Sequence, residues 1–222
     1  MKPRLIAAAS KTAAFIVQSR MRKAAFGAGA VFIVFLSIIC LATSDADDAA
    51  RLVDALHVRP GMSVAEIGAG DGELTVAIAK VVGPTGRIYS TELNQSRLET
   101  IRRATESMPQ VSVVESHVAD TNLPDGCCDA IYMRDVYHHF TDVAAMNRSL
   151  MKSLKPGGLL AIYDFPPRSG GEAGPKERGG SVHGITFKTL ESELKEAGFK
   201  HISTADKVSG RNFLVVVQRA ER

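Results

Sequence analysis

A three-layer α/β sandwich on one mostly parallel, seven-stranded sheet, preceded by a hydrophobic N-terminal helix, is the fold this 222-residue sequence predicts. Three observations carry the prediction. From Ser63 onwards, short β-branched runs alternate with helical apolar stripes, the pattern of βαβ units. A glycine-rich turn, Gly68-Ala-Gly70-Asp-Gly72, joins the first such run to the first stripe. Residues 24–44 carry no charge, unlike everything downstream.

The chain divides into a basic segment (1–23), an apolar transmembrane or signal segment (24–44) and one domain (45–222). Residues 1–44 hold six basic groups (Lys2, Arg4, Lys11, Arg20, Arg22, Lys23) and no acid. The uncharged stretch is long enough to span a bilayer, which takes about 20 residues. Its densest part, Ala30 to Cys40, is shorter and equally suits the core of a signal peptide, with Ala42-Thr43-Ser44 as a small-residue cleavage site. The basic flank stays cytoplasmic under the positive-inside rule, so the reading is a membrane-anchored or exported chain with an extracytoplasmic or periplasmic domain. A mitochondrial targeting sequence followed by an anchor is the alternative.

Without its first 44 residues the chain has 21 basic against 24 acidic groups. No basic stripe remains to neutralise phosphates, which excludes a nucleic-acid partner. Cys40, Cys127 and Cys128 offer no spaced pairs for zinc, and Cys127 and Cys128 read as small hydrophobes packed after the turn Leu123-Pro124-Asp125-Gly126.

Taken in order, the domain opens with a helix over 47–58 that flanks the sheet or covers its ligand edge, closed by Arg59-Pro60-Gly61. The strands are Ser63–Ile67, Arg87–Thr91, Val111–Glu115, Ala130–Arg134, Leu159–Asp164, Ile202–Asp206 and Asn212–Gln218. Between them run four apolar stripes: Leu74, Ala77, Ile78, Val81; Leu98, Ile101, Ala104; Val143, Met146, Leu150, Leu154; and Phe187, Leu190, Leu194, Ala197. The third stops at Lys155-Pro156-Gly157-Gly158 and the fourth at Gly198. No helix separates the last two strands, so one of them is antiparallel and at an edge. Residues 166–181, rich in glycine and proline, read as a substrate-side lid or a solvated loop.

The segment Glu66-Ile-Gly68-Ala-Gly70-Asp71-Gly72-Glu73 carries the ligand chemistry. Alternate glycines let the backbone bend and approach a ligand, with the free N–H groups of the next helix facing it. This is a Rossmann-like arrangement, but the dinucleotide fingerprint GxGxxG needs glycine where Glu73 stands. The carboxylates of Glu66 and Asp71 would also repel a pyrophosphate. Glu92 ends the second strand about 20 residues after the loop, where an acid can accept both hydrogen bonds of a ribose diol. Asp120, beyond the third strand, can accept from an adenine amino group.

These motifs, VAEIGAGDGELT, IYSTELN, HVADTNLPDGCCDAIYMRDVYHHF and LKPGG, resemble the class I S-adenosylmethionine-dependent methyltransferases, especially the group that includes quinone C-methyltransferases. The resemblance covers roughly residues 48–218. It implies a sheet in the order 3-2-1-4-5-7-6 with strand seven antiparallel, S-adenosylmethionine as cofactor, and a small-molecule, lipid or quinone-like acceptor. It further implies that Gly68 and Gly70 flank the methionine and ribose parts, that Glu92 binds the ribose, that Asp120 meets the adenine, and that Glu66 supports the loop or the amino group. Asp71, Gly72, Leu93 and Arg134 complete the expected cofactor set.

Methyl transfer from a sulfonium needs mainly alignment, and a base only where the accepting atom carries a firmly held proton. Asp135, Tyr137, His138 and His139 follow the fourth strand and are the candidates, with one of the adjacent histidines facing the site and the other bracing it. His183, after the loop, enters as a lid closes, and Asp164 is placed to contact substrate. No metal is expected, since no third ligand stands at a recognisable spacing from the histidine pair. A non-catalytic cofactor-fold module at a membrane is the alternative function, whereas Glu73 counts against a nicotinamide oxidoreductase.

Overall fold

The computed structural model describes residues 45–168, 170–171, 174–178, 180 and 182–221. The basic segment 1–23 and the apolar segment 24–44, on which the membrane or export reading rests, lie outside them. Among the described residues, no helix is long and apolar enough to cross a membrane.

Residues 45–55 are helical (α1). There follow β1 (Ser63–Ile67), α2 (Glu73–Val82), β2 (Arg87–Glu92), α3 (Gln95–Ala104), β3 (Val111–Glu115), β4 (Cys128–Arg134), a 3₁₀ turn (Tyr137–His139), α4 (Val143–Ser153), β5 (Leu154–Asp164), α5 (Pro175–Arg178), α6 (Phe187–Glu196), β6 (Lys200–Ser209) and β7 (Asn212–Gln218). The seven strands form one sheet in the order β3-β2-β1-β4-β5-β7-β6. β7 runs antiparallel to both β5 and β6, and the other pairs are parallel.

The period of two along each strand sorts the core into two faces. Val64, Ala130, Tyr132, Ala161, Tyr163, Leu214 and Val216 point to one side, where they meet Leu52 of α1 and Leu74, Ile78 and Ala79 of α2. Ala65, Ile67, Ile131, Met133, Leu160, Ile162, Val215 and Val217 point to the other, against Met146 and Leu150 of α4 and Leu190 and Leu194 of α6. Helices therefore cover both faces, and the central strands read as nearly continuous apolar runs because neither face sees water.

Helix starts follow local chemistry. Asn94 caps α3 by accepting from the Ser96 and Arg97 N–H groups, Asp142 caps α4 through the Ala145 N–H, and Thr186 caps α6 through the Thr189 N–H.

Several boundaries differ from expectation. Leu154, expected on the apolar stripe of α4, starts β5 instead, because the LKPGG turn is an irregularity inside that strand: Cys128 pairs with Leu154, and pairing resumes at Ala130 with Leu159. β6 is longer than expected, exposed along most of its length and interrupted by register shifts, as suits an edge. The segment 166–181 is not simply a solvated loop, for among its described residues is α5, whose Arg178 is buried and paired with Glu193 of α6.

Candidate functional site

A cleft of about 470 Å³ opens at the C-terminal ends of β1, β2 and β4. The β1–α2 turn forms its floor. Gly68 has φ +70°, and a Cβ there would meet Val136 Cγ2 at 2.6 Å, so the backbone passes closer to the β4 loop than any side chain permits. Gly72 starts α2 in the left-handed region, and no side chain of the described residues caps that helix. Its first-turn N–H groups are thereby left for a ligand.

Glu92 is buried and holds the turn to the end of β2. Its Oε2 accepts from the Gly70 N–H at 3.0 Å, and its Oε1 accepts from the N–H groups of Leu93 at 2.8 Å and Asn94 at 3.1 Å. The carboxylate is thus fixed with lone pairs left over on the cleft side.

Glu66 lies beneath the turn, 3% exposed. Register explains its company: it stands opposite Ser90 of β2 and Tyr132 of β4. The Tyr132 hydroxyl donates to it at 3.0 Å, the Thr75 hydroxyl donates to it as well, and Thr75 also bonds Ser90 at 2.7 Å. Burial pushes the Glu66 carboxyl up to about 7, against the pull of those two donors.

Of the residues expected to hold a cofactor, Glu66, Gly68, Gly70, Asp71, Glu92, Leu93 and Arg134 line the cleft. Arg134 also pairs with Asp48 of α1 at 3.0 Å. Gly72 shapes the helix start rather than the cleft wall. Asp120, expected at the adenine, is not among the residues lining this cleft: its Oδ1 accepts from the Asn122 N–H at 2.9 Å and the Ser149 hydroxyl at 2.8 Å, and it lines a separate depression beside α4. Those bonds hold its carboxyl below the usual range. The cleft wall at that point is Ser116, His117 and Val118. Sequence reading passed them over because they lack carboxylates. Val118 and Leu93 are 60% and 53% exposed and line the same cleft, where they offer apolar surface to a planar base.

The loop after β4 supplies the other end. Asp135 adopts φ +58° and lines the cleft beside His139 and Phe140. Asp135 is exposed at the cleft, and partial desolvation by its surroundings, followed by the charge of Asp164, raises its carboxyl to about 6. His139 is depressed by desolvation and by its neighbours His138 and His183.

Two expectations need correcting. Tyr137 is wholly buried in the core, its hydroxyl accepting from Asn147 Nδ2 at 2.8 Å, because the 3₁₀ turn points it inward towards α4. Asp164 is also wholly buried: it accepts from the His138 N–H at 3.2 Å and the Phe165 N–H at 2.8 Å, and bonds His138 Nδ1 at 2.8 Å. It is not among the residues lining the cleft. His138, 1% exposed, is the bracing histidine of the pair. His183, which no spacing in the sequence tied to the histidine pair, arrives from the segment before α6 with its Nε2 3.1 Å from His138 Nε2. Gly184 allows this approach, as a Cβ there would sit 2.8 Å from the Phe165 carbonyl.

Residues 65–162 match the family model described as a methyltransferase domain. Residues 65–162 thus form a methyltransferase domain. It is 31% identical over 189 residues to the phosphoethanolamine N-methyltransferase of Triticum aestivum, covering 81% of this chain and 35% of that one. It is 29% identical over 116 residues to the ubiquinone/menaquinone biosynthesis C-methyltransferase of Vibrio cholerae, covering 51% of this chain and 45% of that one. The chain thus spans less than half the length of either curated relative. In fold it is similar to a SAM dependent methyltransferase from Aquifex aeolicus, with a TM-score of 0.67 and 22% identity over 78% of this chain and 90% of that chain.

S-adenosylmethionine is the cofactor of this family, and the residues of the methyltransferase domain fit it. The cleft is lined by Glu66, Asp71, Glu73, Glu92 and Asp135 against Arg97 and Arg134. That balance favours a cationic sulfonium and ammonium over a pyrophosphate. The space above Gly68 is one that any side chain would fill.

Proposed function

We propose that this protein transfers a methyl group from S-adenosylmethionine to a small-molecule acceptor, of the lipid or quinone-like kind. The observation that carries the reading is Glu92, buried at the mouth of a glycine-floored cleft and already oriented by three backbone N–H groups. S-adenosylmethionine supplies the activated methyl group on a sulfonium. The chain's residues position it: Glu92 accepts from the ribose hydroxyls, Leu93 and Val118 flank the base, and the bare turn at Gly68 and Gly70 gives room for the amino-acid part. Asp135 and His139 stand at the acceptor end of the cleft, where they orient the acceptor and take up its proton where it has one.

Residues 24–44 support the lipid or quinone-like class, because an anchored or exported domain meets membrane-dissolved acceptors most readily. Mass spectrometry of the mature N-terminus distinguishes a retained anchor from a cleaved signal, and only the former keeps that support.

Calorimetric titration of the purified chain with S-adenosylmethionine, with its demethylated product and with NAD tests the central claim. Uptake of the first two at micromolar concentration is expected. A chain that is folded yet takes up neither removes the proposal and leaves the alternative, a module that keeps the fold without the chemistry.

A further inference from the structure

His138 and His139 come from the turn after β4, and His183 from the segment before α6, yet the three offer ligand nitrogens that all lie within 4.8 Å of one another. The His138 and His183 Nε2 atoms are 3.1 Å apart. Around a tetrahedral ion with metal–nitrogen bonds of about 2.0–2.1 Å, neighbouring ligand atoms stand roughly 3.3 Å apart, so one edge of the polyhedron is already near its bound length. The widest pair must close by roughly 1.5 Å on the same geometry. His139 and His183 are both exposed, so rotation of their rings can supply that movement.

The surroundings point the same way. Asp164 Oδ1 lies 2.8 Å from His138 Nδ1, and the same carboxylate is held by two backbone N–H groups. A carboxylate on one imidazole nitrogen fixes the ring and leaves the other as a bare donor, the usual outer-shell arrangement behind a metal-bound histidine. Asp135 and Asp164 place two carboxyl groups beside the cluster, and an added cation offsets them.

We propose that His138, His139 and His183 form a site for one divalent transition-metal ion of the zinc class, oriented by Asp164. Three imidazoles with no thiolate and no oxygen-rich shell suit zinc, cobalt or nickel and disfavour calcium and magnesium. Three protein ligands leave a fourth position, as in catalytic rather than structural zinc sites. His139 lines the cleft, so that position opens toward the acceptor end, where it takes a water or an oxygen or sulfur of the acceptor. Only this last step rests on the proposed methyl transfer; uptake of the ion does not.

The test uses the untagged full-length chain, stripped of metal by chelation and titrated with zinc chloride by calorimetry and with cobalt chloride by visible absorption, without cofactor. One ion per chain and the absorption of tetrahedral cobalt are expected. His183→Ala, at an exposed position, is expected to weaken uptake at least a hundredfold, and Asp164→Asn 10- to 100-fold. His201→Ala, on the exposed edge strand, leaves it unchanged. Circular dichroism and S-adenosylmethionine titration of each variant establish that it is folded, and His183→Gln serves as a second probe should the alanine variant misfold. Absence of uptake, or uptake indifferent to His183, overturns the proposal and leaves a hydrogen-bonded imidazole pair. Failure of cofactor binding with metal uptake intact overturns only the methyltransferase reading.

Discussion

Glu92 accepts from Gly70, Leu93 and Asn94 and faces the cleft, so two substitutions at this residue separate its roles. Glu92→Ala should weaken S-adenosylmethionine binding at least tenfold in calorimetry, with the circular dichroism spectrum preserved. Glu92→Gln retains acceptor capacity on one atom only and should fall between. Unchanged affinity in both variants would remove Glu92 from the site. At Gly68, where φ is +70° and a Cβ would collide with Val136, Gly68→Ala should cost about 1–3 kcal/mol in urea unfolding and abolish detectable cofactor uptake. Glu66 makes a pH prediction. Its folded pKa of about 7 lies above the ordinary value of 4.5, so the folded state holds the proton more tightly than the unfolded one. Its contribution is therefore complete below about pH 4.5 and is lost as pH rises toward 7, a fall on the order of 3 kcal/mol. Glu66→Gln should flatten that slope, and an unchanged stability profile between pH 4.5 and 7 would show that the carboxyl titrates normally. Legibility at this scale was uneven. Glu92 and the glycines could be read because a backbone bend and a strand-end acid leave sequence signatures. Asp120 was less legible, because whether a carboxylate faces a ligand or its own Asn122 and Ser149 depends on a loop path that no local spacing encodes.

Among the elements, the stretch from Asp164 to Thr186 departs most from its sequence reading. Its composition suggests a lid, but Arg178 of α5 is 1% exposed and forms two bonds to Glu193 of α6, of which the Nη1–Oε2 contact is 3.1 Å. Removing one partner of a buried pair leaves the other uncompensated, which typically costs about 3–5 kcal/mol, and less where one side reaches water. Since Glu193 is partly exposed, Arg178→Ala should lower unfolding free energy by about 2–3 kcal/mol. Amide exchange at 174–178 should quicken more than in β1 or β4. Exchange that stays as slow as in the wild-type chain would mean that α5 is held by something other than this pair. The same stretch carries His183, whose ring meets His138, His139 and Phe165. Composition announced neither the anchor nor the ring contact, because an arginine in a glycine-rich run looks solvated until its partner on another helix is known.

At the scale of the whole molecule, the strand order places β1 and β4 side by side at the centre, where the chain reverses its direction of winding. The crevice of an open α/β sheet forms at such a switch point, which is why the β1–α2 turn and the β4 loop face one another across the cleft. Residues 46–222 form a compact unit with both core faces. A fragment of these residues should fold cooperatively and bind S-adenosylmethionine within about threefold of the full chain. Full-length material should partition with membranes unless its leader is cleaved; fractionation with intact-mass measurement checks both.

The sequence by itself determined the alternation of strands and helices, the glycine turn, the acid at position 92 and the uncharged apolar stretch at 24–44, since each depends on residues adjacent along the chain. It also carried the likeness to the methyltransferase family, and with it the order of the strands. The tertiary structure alone decided that Tyr137 and Asp164 turn inward, that Ser116, His117 and Val118 line the cleft, and that His183 meets His138 across 45 residues. Those outcomes depend on which segments the folded sheet brings within a few ångströms, and no local periodicity records that distance.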